Sequence, residues 1–143
     1  VNNEILLKAL SQYGIKEISG ALDNQIILDY FAAAGHAWVQ DDETAWCSAF
    51  ACWVAEQVGC EHPHSLRARD FLTVGDPVLE PEQGDIVVYW RVEKDSVYGH
   101  VHFFVSQDDK VIYGIGGNQN NMVTISPYLK SRLLGYRRLK KVT

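Results

Sequence analysis

The sequence predicts an α+β fold, with N-terminal helices packed on one side of a C-terminal antiparallel β-sheet. Two changes of pattern carry that prediction. As far as residue 72, apolar residues recur three and four apart, the spacing of one helix face. From Gly84 onward, short runs rich in Val, Ile, Tyr and Phe are punctuated by Gly, Asp, Asn and Pro, the marks of strands and turns. Helices followed by a block of strands indicate segregated layers. A length of 143 residues and an apolar content of 47% suit one hydrophobic core. No repeat, low-complexity tract or linker divides the chain, so residues 1–143 are expected to form one domain.

Each element has its own signals. "NEILLKALSQYG" places Ile5, Leu6, Ala9 and Leu10 on one face, and Gly14 ends it. "GIKEISGALD" reads as a loop. In "DNQIILDYFAAAG", Asp23 is the expected cap, Ile26, Ile27, Tyr30 and Phe31 the apolar stripe, and Gly35 the stop. After an acidic loop, "TAWCSAFACWVAEQVG" is the most apolar helix, capped by Thr44 or Asp42 and ended by Gly59. "SLRARDFL" reads as a short fourth helix begun by Ser65. The expected strands are "GDIVVYWRV", "GHVHFFVS", "KVIYGI", "MVTISPY" and "LLGYRRL".

Composition narrows the partners. Thirteen basic against eighteen acidic residues give a formal charge of −5, which argues against nucleic acid or an anionic membrane. The cluster "YRRLKK" is short and reads as the solvated face of the last strand. No apolar run approaches the roughly 18 residues of a membrane span, and the first residues lack a secretory-signal pattern. Cys47, Cys52 and Cys60 form no disulfide framework. On one helix, Cys52 and Cys60 would lie about 12 Å apart, too far to bridge.

The chemistry-bearing residues begin with Cys47 in "DDETAWCSAF". With Thr44 as cap, Cys47 takes the third helical position, where unsatisfied N–H groups and the helix dipole favour a thiolate. Cys52 lies deeper in the helix, and Cys60 follows its end. A nucleophilic thiol needs a base. His36, His62 and His64 fall in loops, whereas His100 and His102 share one strand face, and the alternation rule does not separate them. Asn118, in "GIGGNQNN", is placed to orient an imidazole, with Gly116 and Gly117 allowing an unusual backbone path. Trp46 and Gln119 are candidates to line the cleft, although the Trp46, Phe50, Trp53, Val54 stripe is mostly core. "DDET" lacks the spaced donors of a calcium loop, "CEHPH" is a poor tetrahedral zinc set, and Arg67 and Arg69 read as a solvated helix face.

Taken in order, "WCSAF", "SLRARDFL", "GDIVVYWR", "GHVHFFV", "GGNQ" and "RLLGYR" resemble a bacterial and phage family related to the NlpC/P60 and CHAP cysteine peptidases. "GIKEISGALDNQIILDYF" resembles that family's entry segment. The resemblance covers nearly the whole chain. It implies a papain-like fold and cleavage of an amide bond in peptidoglycan, with Cys47 as nucleophile, His100 as base and Asn118 as orienting residue. His102 departs from the pattern, standing where such families usually carry a small residue. The implied reaction is acyl transfer through a Cys47 thiolate, with the Cys47 N–H helping to hold the oxyanion and no metal or organic cofactor. The expected protein is a monomer acting on bacterial peptidoglycan, with an inhibitor or immunity protein as a further partner. It would be made in the cytoplasm and delivered to the wall by a route outside this chain. Two other readings share these residues: a papain-like deamidase or transglutaminase acting on protein glutamine, and an inactive wall-binding module.

Overall fold

The structure, a computed structural model, describes residues 1–16, 25–35, 43–96 and 98–143, with the side chains of 43–45 set aside. In chain order these form α1 (Asn2–Leu10), α2 (Gln25–Ala33), α3 (Glu43–Gln57) and a 3₁₀ helix (Ala68–Thr73). Six strands follow: β1 (Asp76–Val78), β2 (Ile86–Trp90), β3 (Gly99–Gln107), β4 (Val111–Gln119), β5 (Met122–Leu129) and β6 (Leu133–Arg138). A second 3₁₀ turn (Lys130–Arg132) joins the last two strands. The expected Asp23 and Asp42 caps, His36 and most of the acidic loop lie outside the described residues.

The helices form as their apolar spacing dictates. Ile5 and Ala9 bury one face of α1, and Ile27, Tyr30 and Phe31 bury one face of α2. α3 is apolar around most of its girth, which suits a helix enclosed by other elements. It lies between the sheet and the other helices: Phe50 meets Phe103 of β3 at 6.4 Å and Tyr30 of α2 at 5.1 Å between ring centroids. The expected fourth helix is only a 3₁₀ segment. Arg67 is extended, and the Ser65 hydroxyl accepts the Arg67 N–H and donates to Asp70, so no α-turn starts at Ser65.

All six strands pair antiparallel in the order β1-β6-β2-β3-β4-β5. β1 was not legible in the sequence: three residues with a central proline carry no alternation, and Pro77 is tolerated because the strand lies at the sheet edge. Ile86, Val88, Val101, Phe103 and Ile115 face α3, while Val87, Tyr89, Phe104 and Ile112 form a second cluster on the opposite face. That opposite face is folded inward. β2 and β5 stand three strand spacings apart in the sheet, about 14 Å, yet the Tyr89 and Tyr128 rings approach to 5.3 Å. Register breaks at Phe104/Ser106 and Gly116/Gln119 supply the bend.

Buried polar groups close the molecule. Asp85, fully buried, takes both arms of the Arg138 guanidinium at 2.9 and 2.8 Å, the Asn2 amide at 2.9 Å and the Glu82 N–H at 2.7 Å. Four donors on one carboxylate tie α1, the approach to β2, and β6 together.

Candidate active site

The site lies where β3 and β4 part. Their ladder runs from Phe103↔Ile115 to Gln107↔Ile112, leaving His100 to His102 beyond it. The Arg91 N–H bonds the Tyr98 carbonyl, so alternation makes Tyr89↔His100 a hydrogen-bonded pair and turns the Val101 N–H away from β2, toward the gap. The Cys47 sulfur accepts that N–H. The thiol of α3 therefore stands against the peptide unit that joins His100 to Val101, in the place where a β4 carbonyl would otherwise pair.

Gln119 enters the same gap. Asn118, Asn120 and Asn121 have φ of 55°, 58° and 62°. The last two form the two-residue β4–β5 turn, for which asparagine is suited. Asn118 makes the bulge that swings Gln119 inward. The Gln119 amide nitrogen donates to the carbonyls of Thr124 at 2.6 Å and Gly114 at 3.3 Å, which fixes the oxygen toward the histidines. That oxygen lies 2.9 Å from His100 Nε2 and 2.9 Å from His102 Nδ1. A carbonyl oxygen only accepts, so both rings donate to it. His100 is thus the Nε2–H tautomer, with its lone pair on Nδ1. His102 is the Nδ1–H tautomer, and its Nε2 accepts the Tyr89 hydroxyl at 2.7 Å.

The two histidines, equivalent by alternation, are separated by this geometry. His102 is fully buried with both nitrogens engaged, whereas His100 stacks on Tyr128 at 4.1 Å and lines a cleft of about 350 Å³. Tyr89, Asn118, Tyr128, Arg91 and Arg132 share the cleft wall. The bulk of His102 is accommodated by β4 glycines: a Cβ on Gly114 would come within 2.4 Å of its ring, and one on Gly116 within 2.7 Å of its Cβ. Gly116 and Gly117 serve here by lacking a side chain; the left-handed backbone is at Asn118.

Burial dominates the electrostatics. It pushes the Cys47 thiol up to about 11, with the Val101 amide and the Arg91 charge pulling the other way. It pushes His100 down to about 4, the Gln119 hydrogen bond opposing it and Arg91 adding to it. His102 is held well below the usual range by burial and by the neighbouring His100. Both shifts favour the neutral thiol and the neutral imidazole over the standing thiolate expected from the sequence. A second correction concerns the helix. α3 begins at Glu43, so Thr44 is not its cap, and Cys47 is the fifth helical residue with its N–H past the unsatisfied first turn.

A family model described as the CHAP domain matches residues 39–118. These are 80 of the chain's 143 residues. The chain belongs to the CHAP domain family. CHAP domains are typically hydrolases acting on peptidoglycan, and the match runs from the approach to α3, through Cys47 and His100, to Asn118. Gln119 stands one residue beyond it. No curated protein matches the chain.

Within this CHAP domain the other expected residues fall as follows. Asn118 lines the His100 cleft, but the bond from His100 Nε2 goes to Gln119. Gln119, expected as a substrate contact, is 2% exposed and committed to the two imidazoles. Trp46, expected to line the cleft, is fully buried against Tyr30 and the Gly117 backbone. Cys52 donates its thiol to the Ser65 carbonyl, and burial lifts it to about 12. The His62 and His64 rings lie 3.9 Å apart, tilted by 43°, beside a separate hollow. Tyr89, Tyr128 and Arg91 were missed, since in sequence they are ordinary strand and strand-end residues.

Proposed function

We propose that this CHAP domain hydrolyses an amide bond of the peptidoglycan stem peptide, with Cys47 as nucleophile and His100 as base. The observation that supports this best is the Cys47 sulfur on the Val101 amide, one peptide unit from an imidazole whose free tautomer is set by Gln119. In the proposed step, His100 Nδ1 takes the thiol proton as sulfur attacks the carbonyl carbon, because neither group is charged beforehand. The carbonyl π electrons move to oxygen. The Gln119 oxygen holds the Nε2–H of the new imidazolium, and the Arg91 charge favours the developing anion. On collapse, His100 returns its proton to the departing amine and a thioester remains. Water, deprotonated by His100, then attacks the thioester and restores the thiol.

The arrangement parallels the papain-like order of thiol on a helix and imidazole and amide on a sheet. In this reading Gln119 takes the orienting role, with Asn118 beside it on the cleft wall. A single catalytic domain spanning residues 1–143, working as a monomer, is part of the same proposal.

The test is digestion of purified sacculi by wild-type protein and by Cys47→Ala, with soluble products read by mass spectrometry. Wild type alone should release fragments, and their masses identify the bond. Equal silence, or equal release, from both proteins removes the hydrolase reading.

A further inference from the structure

The cleft beside His100 carries a charge that the rest of the chain does not lead one to expect. The protein is acidic overall, at −5. Yet the charged residues lining the cleft are two arginines, Arg91 and Arg132, with no carboxylate among the described lining residues. Low-dielectric walls sharpen the field of the exposed Arg132 guanidinium at the opening. The walls here are aromatic: Tyr128 stacked on His100, Tyr89 beside both rings, and Trp90 next to Arg132. The Arg132 guanidinium carbon lies 5.0 Å from the Trp90 ring centroid. A guanidinium held over a ring face by cation–π attraction keeps N–H groups to meet a partner. The fork they form matches a carboxylate, which it can bind through two parallel hydrogen bonds.

We infer that Arg132, held over the Trp90 ring at the cleft, is a carboxylate-recognition site that selects peptide substrates bearing a free carboxylate near the scissile amide. The inference rests on the reading of this cleft as the place where substrate binds. It gives that reading a substrate class: anionic stem peptides over those whose carboxylates are amidated. The geometry suits this division of labour. His100 lines one part of the cleft, and the 3₁₀ turn after β5, which carries Arg132, lines another. A side group fixed at the turn positions the backbone amide along the cleft without touching the reacting atoms.

The test uses paired stem-peptide fragments that differ only in carrying free carboxylates or carboxamides. Binding to Cys47→Ala protein is measured by calorimetry, and cleavage by wild type is measured separately. The free-carboxylate fragment should bind about tenfold or more tightly than its amide, as expected for a charge-assisted pair. That ratio should fall toward one in Cys47→Ala/Arg132→Gln, be partly kept by Arg132→Lys, and shrink as salt is raised. Equal binding of both fragments, binding of neither, or a ratio untouched by Arg132→Gln overturns the inference. The two readouts fail separately. Cys47-dependent cleavage without a carboxylate preference refutes this inference and leaves the hydrolase. A preserved binding preference without cleavage upholds the inference and refutes the hydrolase.

Discussion

At the residue scale, the centre of the site is the Gln119 side chain. One amide oxygen serves two imidazoles, and its nitrogen is tied to two carbonyls, so neither ring turns without leaving a buried polar group unpaired. Gln119→Ala should therefore reduce kcat by roughly 10- to 100-fold, the usual scale for a base that loses its orientation, and more than Asn118→Ala does. Steady-state kinetics on soluble wall fragments decide this; a larger loss from Asn118→Ala returns the orienting role to that residue. The low pKa of His100 has a kinetic consequence with a definite sign. A base must be unprotonated, and burial, with Arg91, delays its protonation until about pH 4. The acid limb of kcat/KM should fall near that value. A midpoint above 6 contradicts a buried, neutral His100 as the base.

At the element scale, the site depends on how closely α3 lies on β4. Gly117 meets the Trp46 ring and Phe50 directly: an added Cβ would come within 2.5 Å of Trp46 and 2.7 Å of Phe50. Gly117→Ala should destabilise the fold by about 1–3 kcal/mol, the usual cost of overpacking, and should lower activity further by moving Cys47 off the Val101 amide. Urea unfolding checks the first part. Unchanged stability shows that α3 has slack over the strand. The same close approach accounts for Trp46, which the sequence left between core stripe and cleft wall. Beside a candidate nucleophile it suggested a substrate platform, but its ring fills the space that Gly117 leaves open. Alternation paired His100 and His102 correctly on one face. Only the parting of β3 from β4, with Gly114 and Gly116 opposite, showed that one ring lines the cleft and the other is sealed behind it.

At the scale of the whole molecule, two neutral imidazoles buried in the bend of the sheet link stability to pH. Unfolded histidines take protons near pH 6.5. Folded His100 does so only near 4, and His102 is likewise held well below the usual range, both chiefly because burial excludes the charge. Above about 6.5 both states are neutral and nothing is gained. Between 6.5 and 4 the unfolded chain binds protons that the folded one refuses, so stability falls as pH falls, by at most about 1.4 kcal/mol per pH unit for each histidine. Urea midpoints at pH 7 and pH 5 measure it, and equal midpoints refute the buried neutral pair. The sequence by itself determined the order of layers, the strand face shared by His100 and His102, the choice of Cys47 over Cys52 and Cys60 as candidate nucleophile, and the family resemblance. Each follows from local periodicity or from motifs in chain order. The tertiary structure alone decided that Gln119 is the partner of His100, that Trp46 is core, and that burial weighs against a Cys47 thiolate. Those outcomes depend on a bulge, on a glycine facing a tryptophan, and on how much water the closed sheet excludes, and none of these leaves a periodic trace in the chain.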